Sequence, residues 1–151
     1  MISRFHHFTV NDWNRFIGNI TPSAVTTFDA SNCYWLPADI LCEAITRMSN
    51  LEELFIHDTK ISLTHLLGIF EACEKIRKIS FSLVEANLDS YQKSIIGRKS
   101  LQNIKFGFGR LTHLKIFPMS MDDDSPIDFW PVVFGLLKYY FTFSLLLLIH
   151  I

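Results

Sequence analysis

The chain lacks an excess of charge of either sign. Its 151 residues carry 14 basic and 15 acidic side chains, a formal net charge of -1, and no run of Lys and Arg is longer than two. A polyanion-binding surface needs a basic stripe or patch, so nucleic acid is not an expected partner. Cysteine is scarce. Cys33, Cys42 and Cys73 are an odd number without a Cys-x-x-Cys pair, the pattern of reduced, buried thiols in an intracellular protein. The opening Met1-Ile2-Ser3-Arg4-Phe5-His6-His7 has no apolar core region, so a cleaved signal peptide is not expected.

Signatures of chemistry are missing too. There is no G-x-S-x-G, no P-loop and no dinucleotide fingerprint. His6 and His7 are adjacent and would point apart on a strand. His57, His65 and His113 fall in no spacing that resembles a zinc motif. Asp122, Asp123 and Asp124 lack the spaced oxygen ligands and central glycine of a calcium loop, and read as a solvated turn. Phe106-Gly107-Phe108-Gly109 is too short for a phosphate cradle. Cys42 and Cys73 lie on core-facing stripes, away from the electropositive setting that makes a thiol reactive. The expectation is a protein that is not an enzyme and takes no cofactor or metal.

What is present is a repeat. Residues 51–75 open with Leu51, Leu54 and Ile56, the last two spaced like one face of a strand. They continue with Leu63, Leu66, Leu67, Phe70 and Cys73 at helical spacing behind Ser62 as N-cap. The strand template, apolar at positions 1, 4 and 6 with a small or polar residue at 9, recurs. It is met at Val25, Phe28, Ala30 and Cys33, at Leu51, Leu54, Ile56 and Thr59, and at Ile76, Ile79, Phe81 and Val84. A fourth copy lies at Leu101, Ile104, Phe106 and Gly109. The starts are separated by 26, 25 and 25 residues. One apolar triplet means little in so hydrophobic a chain; four in step indicate a repeat architecture. Leu111, Leu114 and Ile116 meet the template again only ten residues on, and periodicity alone leaves open which of 101–106 and 111–116 is the fourth strand.

These residues resemble the leucine-rich repeat family. More narrowly, they are similar to the cysteine-containing repeats of about 26 residues found in F-box proteins. The likeness is carried by Asn32-Cys33 at a strand end, by Ala72-Cys73-Glu74-Lys75 leading into Ile76, and by Met48-Ser49-Asn50-Leu51-Glu52-Glu53-Leu54 at a helix-to-strand joint. It covers residues 25–117. It implies an α/β fold: a right-handed solenoid of four to five repeats, with parallel strands on the concave side and helices on the convex side.

Between the repeats, a helix opening at Pro37 would bury Leu41, Ala44, Ile45 and Met48, and a third would run from Asn87 to Ile96 with Gly97 as C-cap. Residues 1–24 read as a degenerate first repeat or a truncated edge. Phe5, Phe8 and Val10 imitate the template, Asn11 could cap a helix through Trp13, Phe16 and Ile17, and no polar cap is evident. Residues 25–128 are the repeats, ending with Ser125-Pro126 as the start of a last helix. From Phe129 to Ile151 the chain is nearly all apolar, with Lys138 its one Lys, Arg, Asp or Glu. Two readings compete: the last repeat's helix plus a tail, or a bilayer span. The first is preferred, because Lys138, Tyr139 and Tyr140 would sit near mid-span.

Strand positions that point away from the core are the candidates for function. They are Asp29, Ser31, Glu53, Phe55, His57 and Lys78, followed by Ser80, Ser82, Lys105, His113, Lys115 and Phe117. The protein-binding set drawn from them is Glu53, Phe55, His57, Lys78, Lys105, Lys115 and Phe117, because aromatic anchors in a polar rim describe binding hot spots. The resemblance implies the substrate-recognition part of a receptor for a cullin-RING ubiquitin ligase, in the cytoplasm or nucleus. A protein substrate would lie on the concave face, and a Skp-type adaptor and cullin would join through an F-box that is not evident in these residues. The alternative is a membrane-anchored repeat scaffold with 129–151 as its span.

Overall fold

Parallel strands cannot be joined by a tight turn, so a chain that builds a parallel sheet must cross over between strands. In the computed structural model, which describes residues 8–83, 107–118 and 147–149, helices make the first crossovers. Helix α1 (Val10–Asn19) and a short 3-10 turn at Pro22–Ala24 lead into β1 (Thr27–Asp29). Then come α2 (Ala38–Thr46), β2 (Glu53–Ile56), α3 (Leu63–Ala72), β3 (Lys78–Leu83), β4 (His113–Pro118) and β5 (Leu147–Ile149). The strands form one sheet in the order β1-β2-β3-β4-β5 with every neighbouring pair parallel. The fold class is α/β with a parallel sheet.

The template residues come into register. Phe28 lies beside Leu54, Leu54 beside Ile79, and Ile79 beside Leu114. Two residues further along, Ile56, Phe81 and Ile116 form a second row. Both rows are buried in one core with Trp13 of α1, Leu41 and Ile45 of α2, and Leu66 and Phe70 of α3. The backbone repeats as closely as the side chains. The N–H groups of Val25, Leu51, Ile76 and Leu111 donate to the carbonyl three residues earlier, at Pro22, Met48, Cys73 and Phe108, over 3.1, 3.0, 3.3 and 3.2 Å. The carbonyls of Thr26, Glu52 and Arg77 each accept two N–H groups from the next rung, which locks adjacent joints together.

The fourth strand settles the choice between the two candidate stretches: β4 lies directly on β3, so the rung opens at Leu111 and not at Leu101. The physical reason is visible just upstream. Residues 107–109 form a helical turn, and its buried Phe108 packs edge-on against Phe70 of α3 with ring centroids 5.2 Å apart. That turn stands where α2 and α3 end before their own strands. Gly107 lies so close to the Phe70 ring that a Cβ there would overlap it. Residues 101–106, the helix expected over 87–96, Asp122 to Asp124 and Ser125-Pro126 lie outside the described residues.

The N-terminal helix differs from expectation in its cap. Thr9, not Asn11, is the N-cap: its hydroxyl accepts the Asp12 N–H and the Asp12 carboxylate accepts the Thr9 N–H at 2.9 Å. Two orphan donors of the first turn are thereby satisfied reciprocally, and Val10 begins the helix instead of ending a strand. Trp13 and Ile17 turn inward, with Trp13 edge-on to Phe28. Asn11, Asp12, Asn14, Arg15 and Asn19 face solvent, which gives α1 a polar outer face. In α2, Leu41, Ala44 and Ile45 are buried as the spacing predicts, as is Met48 just past its end, with Pro37 at the cap position itself. Ser62 caps α3 as expected, in a reciprocal box with His65.

The strands end in two ways. Asn32 and Asp58 occupy the eighth position of the first two rungs and take positive φ, 63° and 53°, a region where Asn and Asp are favoured among residues with a Cβ. They close β1 and β2 early. The corresponding residues of the next rungs, Leu83 and Pro118, are still in strand. At the far edge, β5 pairs with β4 through Leu114 beside Leu147 and Ile116 beside Ile149. Those three residues of the 129–151 stretch are therefore strand, not helix. Among the described residues no helix is long and apolar enough to cross a membrane. Cys33 and Cys73 are buried, Cys42 is half-buried, and all three are free thiols.

Candidate functional site

Alternation along a strand sends every second side chain to the face away from the helices. On that face the register builds three rows across the sheet. The first runs Thr27, Glu53, Lys78, His113 and the second Asp29, Phe55, Ser80, Lys115. In the third, Ser82 lies beside Phe117, while Ser31, two residues past β1, and His57, one residue past β2, take the corresponding places. Six of the seven residues proposed for binding, Glu53, Phe55, His57, Lys78, Lys115 and Phe117, thus lie on one face. Lys105 lies outside the described residues.

Each row has its own chemistry. In the first, Lys78 Nζ meets Glu53 Oε1 at 2.6 Å, a cross-strand ion pair that is partly solvated and therefore contributes little stability while fixing both side chains. In the second, Ser80 is flanked by the much larger Phe55 and Lys115. The missing bulk leaves a depression of about 180 Å³, floored by the strands at Ile79 and Leu114 and walled by Phe55, Lys78, His113 and Lys115.

The third row holds the tightest cluster. The His57 and Phe117 rings stack with centroids 4.4 Å apart and planes at 30°. Phe117 is in β4 and His57 just past β2, two strands apart, and the residue between them is the small Ser82, which leaves room for the contact. His57 Nδ1 lies 3.0 Å from Ser31 Oγ and 3.1 Å from Ser80 Oγ. The Asp58 N–H donates to Ser82 Oγ at 2.9 Å, so the left-handed turn is tied to the same cluster. Lys115 Nζ reaches over the Phe117 ring, 5.1 Å from its centroid, an attraction between cation and ring face. Burial lowers the His57 pKa from 6.5, with Lys115 acting the same way and Asp58 and Asp29 opposing.

Ser80 and Ser82 were expected on the surface and lie on the expected face, yet they are only 2 % and 3 % exposed. Ser82 lies between the stacked His57 and Phe117 rings, and Ser80 lies at the bottom of the depression between Phe55 and Lys115. The signal that could have revealed this is a pair of serines on one strand between two strands with aromatic residues in the same rows. Among the described residues no group of three His, Cys, Asp or Glu could hold a metal ion.

No protein-family model, curated protein or solved structure matches this chain.

Proposed function

We propose that this chain is a leucine-rich repeat solenoid and that the strand face carrying Phe55, His57, Lys78, Lys115 and Phe117 binds a protein. The observation that carries the reading is the recurrence of one rung four times. The same apolar positions lie in register, and the same joint hydrogen bond closes at Val25, Leu51, Ile76 and Leu111. A unit that buries its apolar face only by stacking on its neighbours is the physical definition of a solenoid, and such proteins bind through the surface their strands line. Half-buried aromatic rings are the residue type that anchors protein partners, and the lysines around them supply a polar rim.

On the resemblance of the cysteine-containing repeats, the bound protein is a substrate delivered to a cullin-RING ubiquitin ligase. A photo-crosslinking residue placed at Phe117 or Phe55 should capture the same cellular protein, and one placed at the exposed Glu43 of α2 should not. Overexpression of this chain should then slow the turnover of the captured protein, by occupying it without delivering it. Equal capture from the helix side would overturn the binding face. Turnover that is unchanged, or insensitive to proteasome inhibition, would remove the ligase reading and leave a binding module.

A further inference from the structure

We infer that the strand face recognises an extended segment in which an aromatic or branched apolar side chain stands next to a carboxylate. The inference rests on the proposed binding face and adds what that face selects. The depression over Ser80, about 180 Å³, has the capacity of one such side chain, since a cavity of roughly 150 Å³ already holds a benzene ring. Its walls supply the Phe55 ring and aliphatic lysine stems, so an apolar group can be buried there. Its rim is basic. Lys78, His113 and Lys115 surround it and no acidic residue lines it.

The lysines are not equivalent. Lys78 is committed to Glu53 at 2.6 Å. Lys115 instead rests over the Phe117 ring at 5.1 Å, and among the described residues no carboxylate pairs with it. An ammonium held by a ring face keeps its hydrogen-bond donors available to a ligand anion. A carboxylate placed beside the buried side chain would therefore find Lys115 already positioned and His113 exposed next to it in the neighbouring row. The acidic groups of this face, Asp29 and Glu53, lie on β1 and β2, Asp58 stands in the turn just past β2, and together they would repel the same carboxylate if the segment were reversed. Charge complementarity thus sets direction as well as preference.

The test uses the full chain and four fluorescein-labelled, acetylated seven-residue peptides. One has phenylalanine between two glutamates in a glycine-serine background; the others replace the glutamates by glutamine, the glutamates by lysine, or the phenylalanine by glycine. Anisotropy titrations at low and high salt should rank the glutamate-phenylalanine peptide tightest. It should weaken about tenfold or more on loss of either the charge or the ring, and its affinity should fall with added salt. Lys115→Glu, which lies outside the core, should reverse the preference in favour of the lysine peptide. Ser80→Leu should fill the depression and remove the phenylalanine dependence; circular dichroism of both variants establishes that they remain folded. Indifference to charge, or Lys115→Glu binding the same peptide equally well, overturns the inference. Crosslinks from the bound peptide separate the two levels. Peptides seated on the strand face without this preference overturn the selectivity alone, whereas peptides seated on the helices overturn the binding face as well.

Discussion

Replacing Leu54 and Phe55 by alanine, one at a time, tests the geometry from which everything else follows. The two are neighbours in β2 and point to opposite faces. Leu54 is 0 % exposed and lies between Phe28 and Ile79 in the central row of the core. Truncation to alanine removes three carbons, about 2.4 kcal/mol of transfer free energy at about 0.8 kcal/mol per buried methylene. The cavity left between two strands and the helices adds to that, giving a loss of about 2.7–5 kcal/mol. Phe55 is half-buried on the free face, and its truncation opens a surface depression instead of a cavity, so its cost should stay near 1 kcal/mol. Urea unfolding followed by circular dichroism reads both as shifts in midpoint. Total stabilities of domains are about 5–15 kcal/mol, so Leu54→Ala could unfold the chain outright. Leu54→Met conserves volume and should cost less than about 1.5 kcal/mol, which keeps the comparison measurable. Equal shifts for the two alanine variants, or a larger one for Phe55→Ala, would refute the alternation and with it the free face.

Gly107→Ala should destabilise by about 1–3 kcal/mol in the same assay, because its Cβ would overlap the Phe70 ring and that ring is held by Phe108; a neutral effect would mean that the 107–109 turn does not pack on α3. Asp58→Gly should be tolerated or nearly so, and Asp58→Val should cost about 1–3 kcal/mol, since a β-branched residue is strained at a φ of 53°; equal midpoints for the two would contradict the left-handed turn. Burial, helped by the neighbouring Cys42, pushes the Cys73 thiol up to about 11. In the folded protein its thiolate is therefore scarce, and mass spectrometry after alkylation at pH 8 should find Cys73 labelled after the half-buried Cys42, with urea abolishing the delay. Because the folded-state pKa of His57 lies below 6.5, the unfolded chain takes up the proton first as pH falls. The stability this group confers is complete above pH 6.5 and is lost as pH falls through the folded-state value. Relative to the parent, His57→Gln should show a shallower fall in urea midpoint from about pH 7 to about pH 5, and parallel curves would refute the assignment.

Strand alternation and helical spacing act within a few residues, which is why the rows through Phe28, Leu54 and Ile79, the buried stripe of α2 and the Ser62 cap were legible in the sequence. The fourth rung was not. Both 101–106 and 111–116 satisfy the apolar template, and the choice is made by what lies beside β3 and by how Phe108 meets Phe70, a contact between residues far apart in the chain. The cap of α1 was misplaced for a smaller reason. Asn11 and Thr9 are both good caps, and only the reciprocal bond to Asp12 distinguishes them.

The strand face was legible as a list of residues but not as a surface, because its relief runs across strands. Ser80 and Ser82 are unremarkable on β3 alone. Set between Phe55 and Lys115 in one row and between His57 and Phe117 in the next, one serine leaves a depression and the other lets two rings close over it. The two rows thus use the same residue type to opposite effect, and the difference lies in the flanking pairs. A lysine stem leaves the space beside a phenylalanine open, whereas histidine and phenylalanine stack and seal it. The relief of such a face is therefore set less by any single exposed side chain than by which side chains bracket the small residues of the central strand.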